Sequence, residues 1–429
     1  MRRRQFIYGS AASLAASAGL SRAAPSDTVN IGVIGLRGMG TANLNSMLKV
    51  TGTRCTAVCD VDQSVLEDRA GKVASSTNHT PRLYSDYRAL LDDADVDVVI
   101  IATPDHWHCL QLVDAIDAGK HAYVEKPIAN SIAECQAMVA AHEKSNRLVQ
   151  VGQWQRSAPH FREAVEFVHS GKLGNIRTVK TWAYINWLKM DKAPDSPTPA
   201  GVDYNMWLGP APERPFNKNR FHFHFRWFWD YAGGLMTDWG VHLIDVALWG
   251  MQADGPERVM STGGAFAYED SGMETPDTQQ AVYEFPDFTL VWDHAVGIGL
   301  GPFQRAHGIA FVGNNGTLVV DREQWQIFPE TEPGAITHKM PSQANRRARP
   351  DERGLDLHTK NFINAVREGE RLNCDLQTGA KAAINAHLGN IAYQTGSNLQ
   401  WDTTNTRFKQ SRSANRMLTP TYRRPWQLP

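Results

Sequence analysis

The chain has 429 residues, which at roughly 150 residues per domain points to two or three domains with room for a large core. Hydrophobic residues make up 42% and charged residues 21%, ordinary globular usage that excludes a disordered, fibrous or collagen-like chain. Forty-four Lys plus Arg against forty-five Asp plus Glu leave a formal net charge of -1, so no global charge favours nucleic acid or an anionic membrane, and the expected partner is small and neutral.

Residues 1–27 differ from the rest. Arg2-Arg3-Arg4-Gln5-Phe6-Ile7 leads into a run of small residues ending near Ser21-Arg22-Ala23-Ala24, the order of a cleaved secretory signal. Arg3-Arg4-Gln5-Phe6-Ile7 resembles the twin-arginine export signal used for proteins that fold before crossing a membrane, and periplasmic localisation is expected. The alternative is an untranslocated tail. No apolar run of about 18 residues occurs elsewhere, so no membrane span is expected.

From Val29 the pattern is strand, glycine turn, helix: Val29–Ile34, then Gly35-Leu36-Arg37-Gly38-Met39-Gly40, then a helix to about Val50. Such a turn lets backbone N–H groups and a helix N-terminus meet a pyrophosphate. A G-x-G-x-x-G spacing would place glycine where Arg37 stands. The next strand, Arg54–Val58, leads to Asp60, 25 residues beyond Gly35, near the distance at which an acid takes the ribose 2′-OH of NAD. NAD is expected, with NADP left open by Arg37. A turn-forming Asp is the plainer reading of Asp60. A helix over Asp62–Val73, a strand over Val96–Ala102, a helix over Trp107–Ala118 and a strand over His121–Val124 continue the alternation. Runs such as Val98-Val99-Ile100-Ile101 belong to strands buried on both faces of a parallel sheet. Residues 28–152 are thus expected to form a doubly wound Rossmann domain. Ligands of such sheets sit beyond the carboxyl ends of the strands. Thr103-Pro104-Asp105-His106-Trp107-His108 and Glu125-Lys126-Pro127, with Gln153 after the last strand, are therefore expected to line the cofactor site.

After residue 152 the rhythm fades. A helix near His160–Ser170 precedes a strand over Arg177–Ile185 and an irregular Pro- and Trp-rich stretch from Lys192 to Asp230. Strands are expected at Gln279–Phe285, Thr289–His294, Gly308–Val312 and Thr317–Asp321, a meander with one covered face, with helices at Leu357–Arg367 and Thr378–Thr395. Residues 153–429 form the second domain. Within it, Gly233-Gly234-Leu235-Met236-Thr237-Asp238-Trp239-Gly240-Val241-His242 fits a helix beginning close to a ligand, with Asp238 and His242 four residues apart on one face. An Asp and a His reaching one substrate make a proton-transfer pair. The plainer alternative is a capping Asp and a core His. Asp238, His242, Asp245 and His222-x-His224 have metal-like spacing, yet nothing requires a metal and none is expected. Seven tryptophans between Trp182 and Trp249 can wall a sugar pocket, fill the core or form a subunit interface; a homo-oligomer, dimer or tetramer, is expected. The five cysteines are odd in number and lack a C-x-x-C pair, and so read as buried free thiols.

Ala102-Thr103-Pro104-Asp105-His106-Trp107-His108 and Ala118-Gly119-Lys120-His121-Ala122-Tyr123-Val124-Glu125-Lys126-Pro127 resemble the signature of the oxidoreductase family that contains glucose-fructose oxidoreductase and inositol 2-dehydrogenase. The resemblance implies an α/β protein: a Rossmann domain, then an α/β domain with a large open-faced, mainly antiparallel sheet, and NAD(P) between them. It also implies that Lys126, Asp238 and His242 converge at the nicotinamide, with Arg156 near the substrate. His242 is expected as general base or acid, Lys126 as electrostatic aid to the alkoxide and Asp238 as substrate anchor. An exported enzyme has no soluble NADH pool, so the cofactor is expected to stay bound while a carbohydrate or polyol is oxidised or reduced. Leu36-Arg37-Gly38 also resembles the turn of redox-neutral NAD-dependent glycosidases, which cleave through transient oxidation at C3. A non-catalytic sugar sensor that retains the cofactor is the third reading.

Overall fold

The computed structural model describes residues 28–341, 343 and 345–429; the export segment expected over residues 1–27 lies outside them. The first sheet comprises β1 (Val29–Ile34), β2 (Thr53–Cys59), β3 (Arg82–Tyr84), β4 (Val98–Ile101), β5 (His121–Val124) and β6 (Val149–Val151). Its order is β3-β2-β1-β4-β5-β6, with every pair parallel. All four residues of β4 are buried, because helices cover both faces of the sheet. The connecting helices are α1 (Gly38–Met47), α2 (Gln63–Thr77), α3 (Tyr87–Leu91), α4 (Asp105–Asp117) and α5 (Ile132–Glu143). Each start has a local cause. Asp62 accepts the N–H groups of Ser64 and Val65 at the head of α2. At α5 the Ser131 hydroxyl accepts the Glu134 N–H while the Glu134 carboxyl reaches back to Asn130 N, a capping-box sequence in use.

The second domain begins with α6 (Pro159–His169) and centres on a ten-stranded sheet. Its strands are β7 (Ile176–Ile185), β8 (Arg258–Gly264), β9 (Thr278–Glu284), β10 (Thr289–Val296), β11 (His307–Gly313), β12 (Gly316–Val320), β13 (Gln324–Pro329), β14 (Arg346–Arg347), β15 (Leu399–Asp402) and β16 (Arg407–Lys409). The order is β14-β13-β12-β11-β7-β10-β9-β8-β15-β16. Only β7 and β10 run parallel; the other neighbours are antiparallel. Strict alternation of burial along β10 marks the single covered face. The helices of this half are α7 (Tyr204–Leu208), α8 (Gly234–Asp238), α9 (Gly240–Met251), α10 (Gly354–Glu368), α11 (Leu376–Thr395) and α12 (Arg412–Arg416). Helix α9 packs on β7, and α11 packs on α9 and β8.

Two features differ from the sequence expectation. The helix expected to carry Asp238 and His242 together is two helices, broken at Trp239, so Asp238 ends α8 and His242 lies in the first turn of α9. The start of α8 is set by a glycine: Gly234 has φ +66, and a Cβ there would lie 2.8 Å from the Thr275 side chain. Helix α10 returns to the first domain, where Phe362 and Ile363 join the core of Val98 and Tyr123; Gln150 Nε2 donates to His358 O at 2.7 Å. Among the described residues no helix is long and apolar enough to cross a membrane. The five cysteines are buried and unpaired.

The turn between β1 and α1 lies in direct contact with the start of α1. A Cβ on Gly40 would sit 1.8 Å from Gly35 O, so α1 can lie against the turn only because residue 40 has no side chain. Gly40→Ala is expected to destabilise the protein by about 1–3 kcal/mol, read as a lower urea midpoint; an unchanged midpoint would show that the turn can open freely.

Candidate functional site

A cavity of about 360 Å³ opens at the carboxyl ends of β1, β2 and β4. Gly35, Arg37, Gly38, Met39, Asp60, Thr103, Pro104, Asp105, Trp107, His108, Glu125, Lys126 and Asp238 all line it, so most of the expected cofactor residues are brought together. Gly35 has φ +87, and a Cβ there would meet Ala102 O at 2.7 Å; Gly38 has φ +41 and open space where a Cβ would be. Helix α1 starts without a side-chain cap and without an acid in its first turn, leaving its N–H groups and the positive end of its dipole facing the cavity. Asp60 accepts Leu36 N–H at 2.9 Å and Asp62 N–H at 3.1 Å, one on each carboxylate oxygen. Burial pushes its carboxyl up while those two N–H groups pull it down. A site of uncapped amides at one end and a hydrogen-bonded carboxylate at the next strand end fits the pyrophosphate and ribose of NAD.

The inner end of the cavity holds the charged cluster. Lys126 follows β5, and its Nζ donates to Asp238 Oδ1 at 2.8 Å and Asp238 O at 3.2 Å. Arg226 Nη1 donates to Asp238 Oδ2. The Lys126 and Asp238 side chains are 14% and 12% exposed, so solvent screens the pair little. Burial pushes the Asp238 carboxyl up, but Arg226 and Lys126 overcome it and hold the group well below the usual carboxylate range. Asp238 is therefore ionised, with both oxygens engaged, and it fixes Lys126 in place. Beside it, His242 places Nδ1 2.9 Å from Gln155 Oε1. A carbonyl oxygen there puts the hydrogen on Nδ1 and leaves the lone pair on Nε2. Burial, then Lys126 and Arg322, push the imidazole well below its ordinary value, so it is neutral at pH 7.

Lys126 is itself oriented. Glu125 Oε1 accepts from Asn43 Nδ2 at 2.8 Å, and Gly152 passes so close that a Cβ would lie 2.9 Å from that same oxygen. His108 lies between the two segments that follow β4 and β5, its ring nitrogens 2.8 Å from Pro127 O and from Thr103 O, and donates its one N–H to one of them.

Several expected residues lie elsewhere. Arg156 does not face the cavity: it forks onto Asp245 at 2.8 and 2.7 Å and stacks 4.9 Å from the Trp249 ring, which makes it a buried structural pair. His106 turns away to Trp207 O at 3.1 Å and borders a different cavity. Gln153 is fully buried beside Cys374 Sγ at 3.4 Å. The Leu36 side chain is in the core, and only its backbone serves the turn. His242 lies behind the cavity wall rather than on it. His222 bonds Asp62 Oδ2 at 3.0 Å, and no metal-holding cluster exists among the described residues. The sequence reading missed Arg226, Met206, Trp207, Phe223 and Phe225, which close the cavity from the irregular stretch, and Gln155. The alternation Phe223-His224-Phe225-Arg226-Trp227 was the available signal, since aromatic residues flanking a cation suit a covering loop better than a surface one.

Residues 29–153 match the family description "Oxidoreductase family, NAD-binding Rossmann fold", and residues 173–265 and 337–428 match "Oxidoreductase family, C-terminal alpha/beta domain". A glycosyl hydrolase family 109 protein of Shewanella sp. (strain W3-18-1) is 32% identical over 125 residues, 28% of this chain and only 27% of that protein's length. Levoglucosan dehydrogenase in complex with NADH and levoglucosan superposes with a TM-score of 0.64 at 18% identity, covering 87% of this chain and 99% of that one. An aldose-aldose oxidoreductase of Caulobacter crescentus superposes with a TM-score of 0.66 at 19% identity over the same shares. With both halves matched and the dinucleotide cradle in place, the chain belongs to the Gfo/Idh/MocA family of NAD-binding oxidoreductases.

Proposed function

We propose that the protein transfers a hydride between retained NAD and a hydroxyl of a carbohydrate or polyol. The observation that carries this reading is the Lys126 ammonium held on Asp238 at the inner end of the cavity that the glycine turn opens, with the neutral His242 just behind the cavity wall. Bound NAD supplies the hydride acceptor. The chain supplies the rest. The amides of the turn and of α1 hold the pyrophosphate, and Asp60 takes ribose hydroxyls. The Lys126 ammonium, kept in place by Asp238, faces the developing alkoxide in a poorly screened site, where such a charge contributes a few kcal/mol. His242 accepts the hydroxyl proton at Nε2, because Gln155 fixes the hydrogen on Nδ1.

The glycosyl hydrolase family 109 relatives favour a second reading, a redox-neutral glycosidase in which oxidation and reduction bracket an elimination. Product analysis separates the two. Sugar oxidation with a rise in reduced-nicotinamide absorbance marks the oxidoreductase, whereas a cleaved glycoside with no net redox change marks the glycosidase. Arg3-Arg4-Gln5-Phe6-Ile7 supports export in the folded, cofactor-loaded state. Arg3→Lys with Arg4→Lys should then hold the protein in the cytoplasm, and unaltered periplasmic delivery would remove that part of the proposal.

Lys126→Met and His242→Ala should each lower kcat by about 10²–10⁴. The acid limb of kcat/KM for oxidation should lie well below the ordinary imidazole value of 6.5. The sign follows from the cause: a depressed histidine stays deprotonated, and so remains a base, at pH values where a free imidazole has taken up its proton. A limb at 6.5, or full turnover in either variant, would contradict the assignment.

A further inference from the structure

The balanced net charge of the chain suggests a neutral partner, but charge around His242 is not balanced. Arg322 stands at the tip of the β12–β13 hairpin, and that tip is fixed. Asp321 Oδ2 accepts from Arg305 Nη1 at 2.9 Å, and its Oδ1 accepts the N–H groups of Glu323 and Gln324 at 2.9 and 2.7 Å. The turn therefore presents Arg322 in one direction, toward Trp239, the residue that joins α8 to α9. Its guanidinium carbon lies 4.3 Å from the Trp239 ring centre and 5.1 Å from that of Trp154, and the Trp154 ring is 6.5 Å from the His242 ring.

No carboxylate touches the guanidinium. Arg322 makes no hydrogen bond or ion pair with any described residue, and its Nε is buried without a partner. The adjacent Glu323 side chain is 69% exposed and acts on the guanidinium only through space, without a hydrogen bond to it. By contrast, Arg226, Arg156 and Arg305 each hold an Asp. A largely buried cation without a counter-charge is costly, and two indole faces offset only part of that cost. Asp238, the carboxylate nearest the imidazole, has both oxygens taken by Lys126 and Arg226 and reaches Arg322 only through space. A planar fork with free donors matches a carboxylate through two parallel hydrogen bonds.

We propose that Arg322 binds a carboxylate carried by the sugar, so that the substrates are acidic sugars of the uronate type. The proposal rests on the hydride-transfer reading for the chemistry but not for the binding. Both are measured on NAD-loaded protein with methyl β-D-glucuronide, methyl β-D-glucoside and the glucoside 6-sulfate, by steady-state kinetics and by titration calorimetry. The glucuronide should exceed the glucoside by about tenfold or more in kcat/KM and in affinity. Arg322→Gln should collapse that ratio, mainly through KM, and Arg322→Lys should restore part of it. Equal or better use of the glucoside, preference for the sulfate, or a ratio untouched by Arg322→Gln overturns the proposal. If Arg322→Gln does not fold, the wild-type ratio and the Arg322→Lys variant decide. Turnover without preference removes the anion site and leaves the reaction standing. Preferential glucuronide binding without any hydride transfer supports the anion site while removing the reaction.

Discussion

One carboxylate organises the site. Asp238 at the end of α8 receives Lys126 from the first domain and Arg226 from the covering stretch, so three distant parts of the chain are held by two oxygens. Such a buried trio adds little net stability over an apolar replacement, but removing one partner leaves a stranded charge at a cost of about 3–5 kcal/mol. The arrangement is therefore complete or absent, and its contribution is position. It sets the ammonium at the inner end of the cavity, largely out of water. The glycine pair before α8, the break at Trp239 and the return of α10 to the first domain all serve to bring this carboxylate to the carboxyl ends of the parallel strands.

The same cluster sets the proton chemistry. Lys126 lies close to His242 and, together with burial, keeps that imidazole neutral, while Asp238, which would favour the charged ring, is already spent on two cations. A neutral His with its Nδ1 hydrogen directed to Gln155 is a base at Nε2 without further arrangement. The ammonium and the imidazole thus have separate tasks, one for charge on oxygen and one for the proton, and a single carboxylate keeps them apart. Arg322 adds a third cation near the imidazole, stacked on Trp154 and Trp239.

The first domain was legible because its signals are local. The run Val98–Ile101 can only be a strand covered on both faces, and the glycine turn announces a helix start where anions bind. The large sheet was legible through alternation, as in Thr289–His294. Lys126, Asp238 and His242 were found through resemblance and a four-residue spacing, although that spacing spans two helices rather than one. The failures are long-range. Arg156 reads as a substrate contact until Asp245, 89 residues away, claims it, and His106 reads as a cofactor residue until Trp207, 101 residues away, turns it aside. Arg226, Gln155 and Arg322 gain their meaning only from partners brought together by folding, or from the lack of one.

The most direct test of this account is a crystal structure of the protein with NAD bound. The account predicts the pyrophosphate on the Gly35–Gly40 turn and the nicotinamide ring beside Lys126, with Asp238 still joined to Lys126 and Arg226. A nicotinamide lodged outside this cavity, or a Lys126 released from Asp238 and turned into solvent, would contradict it.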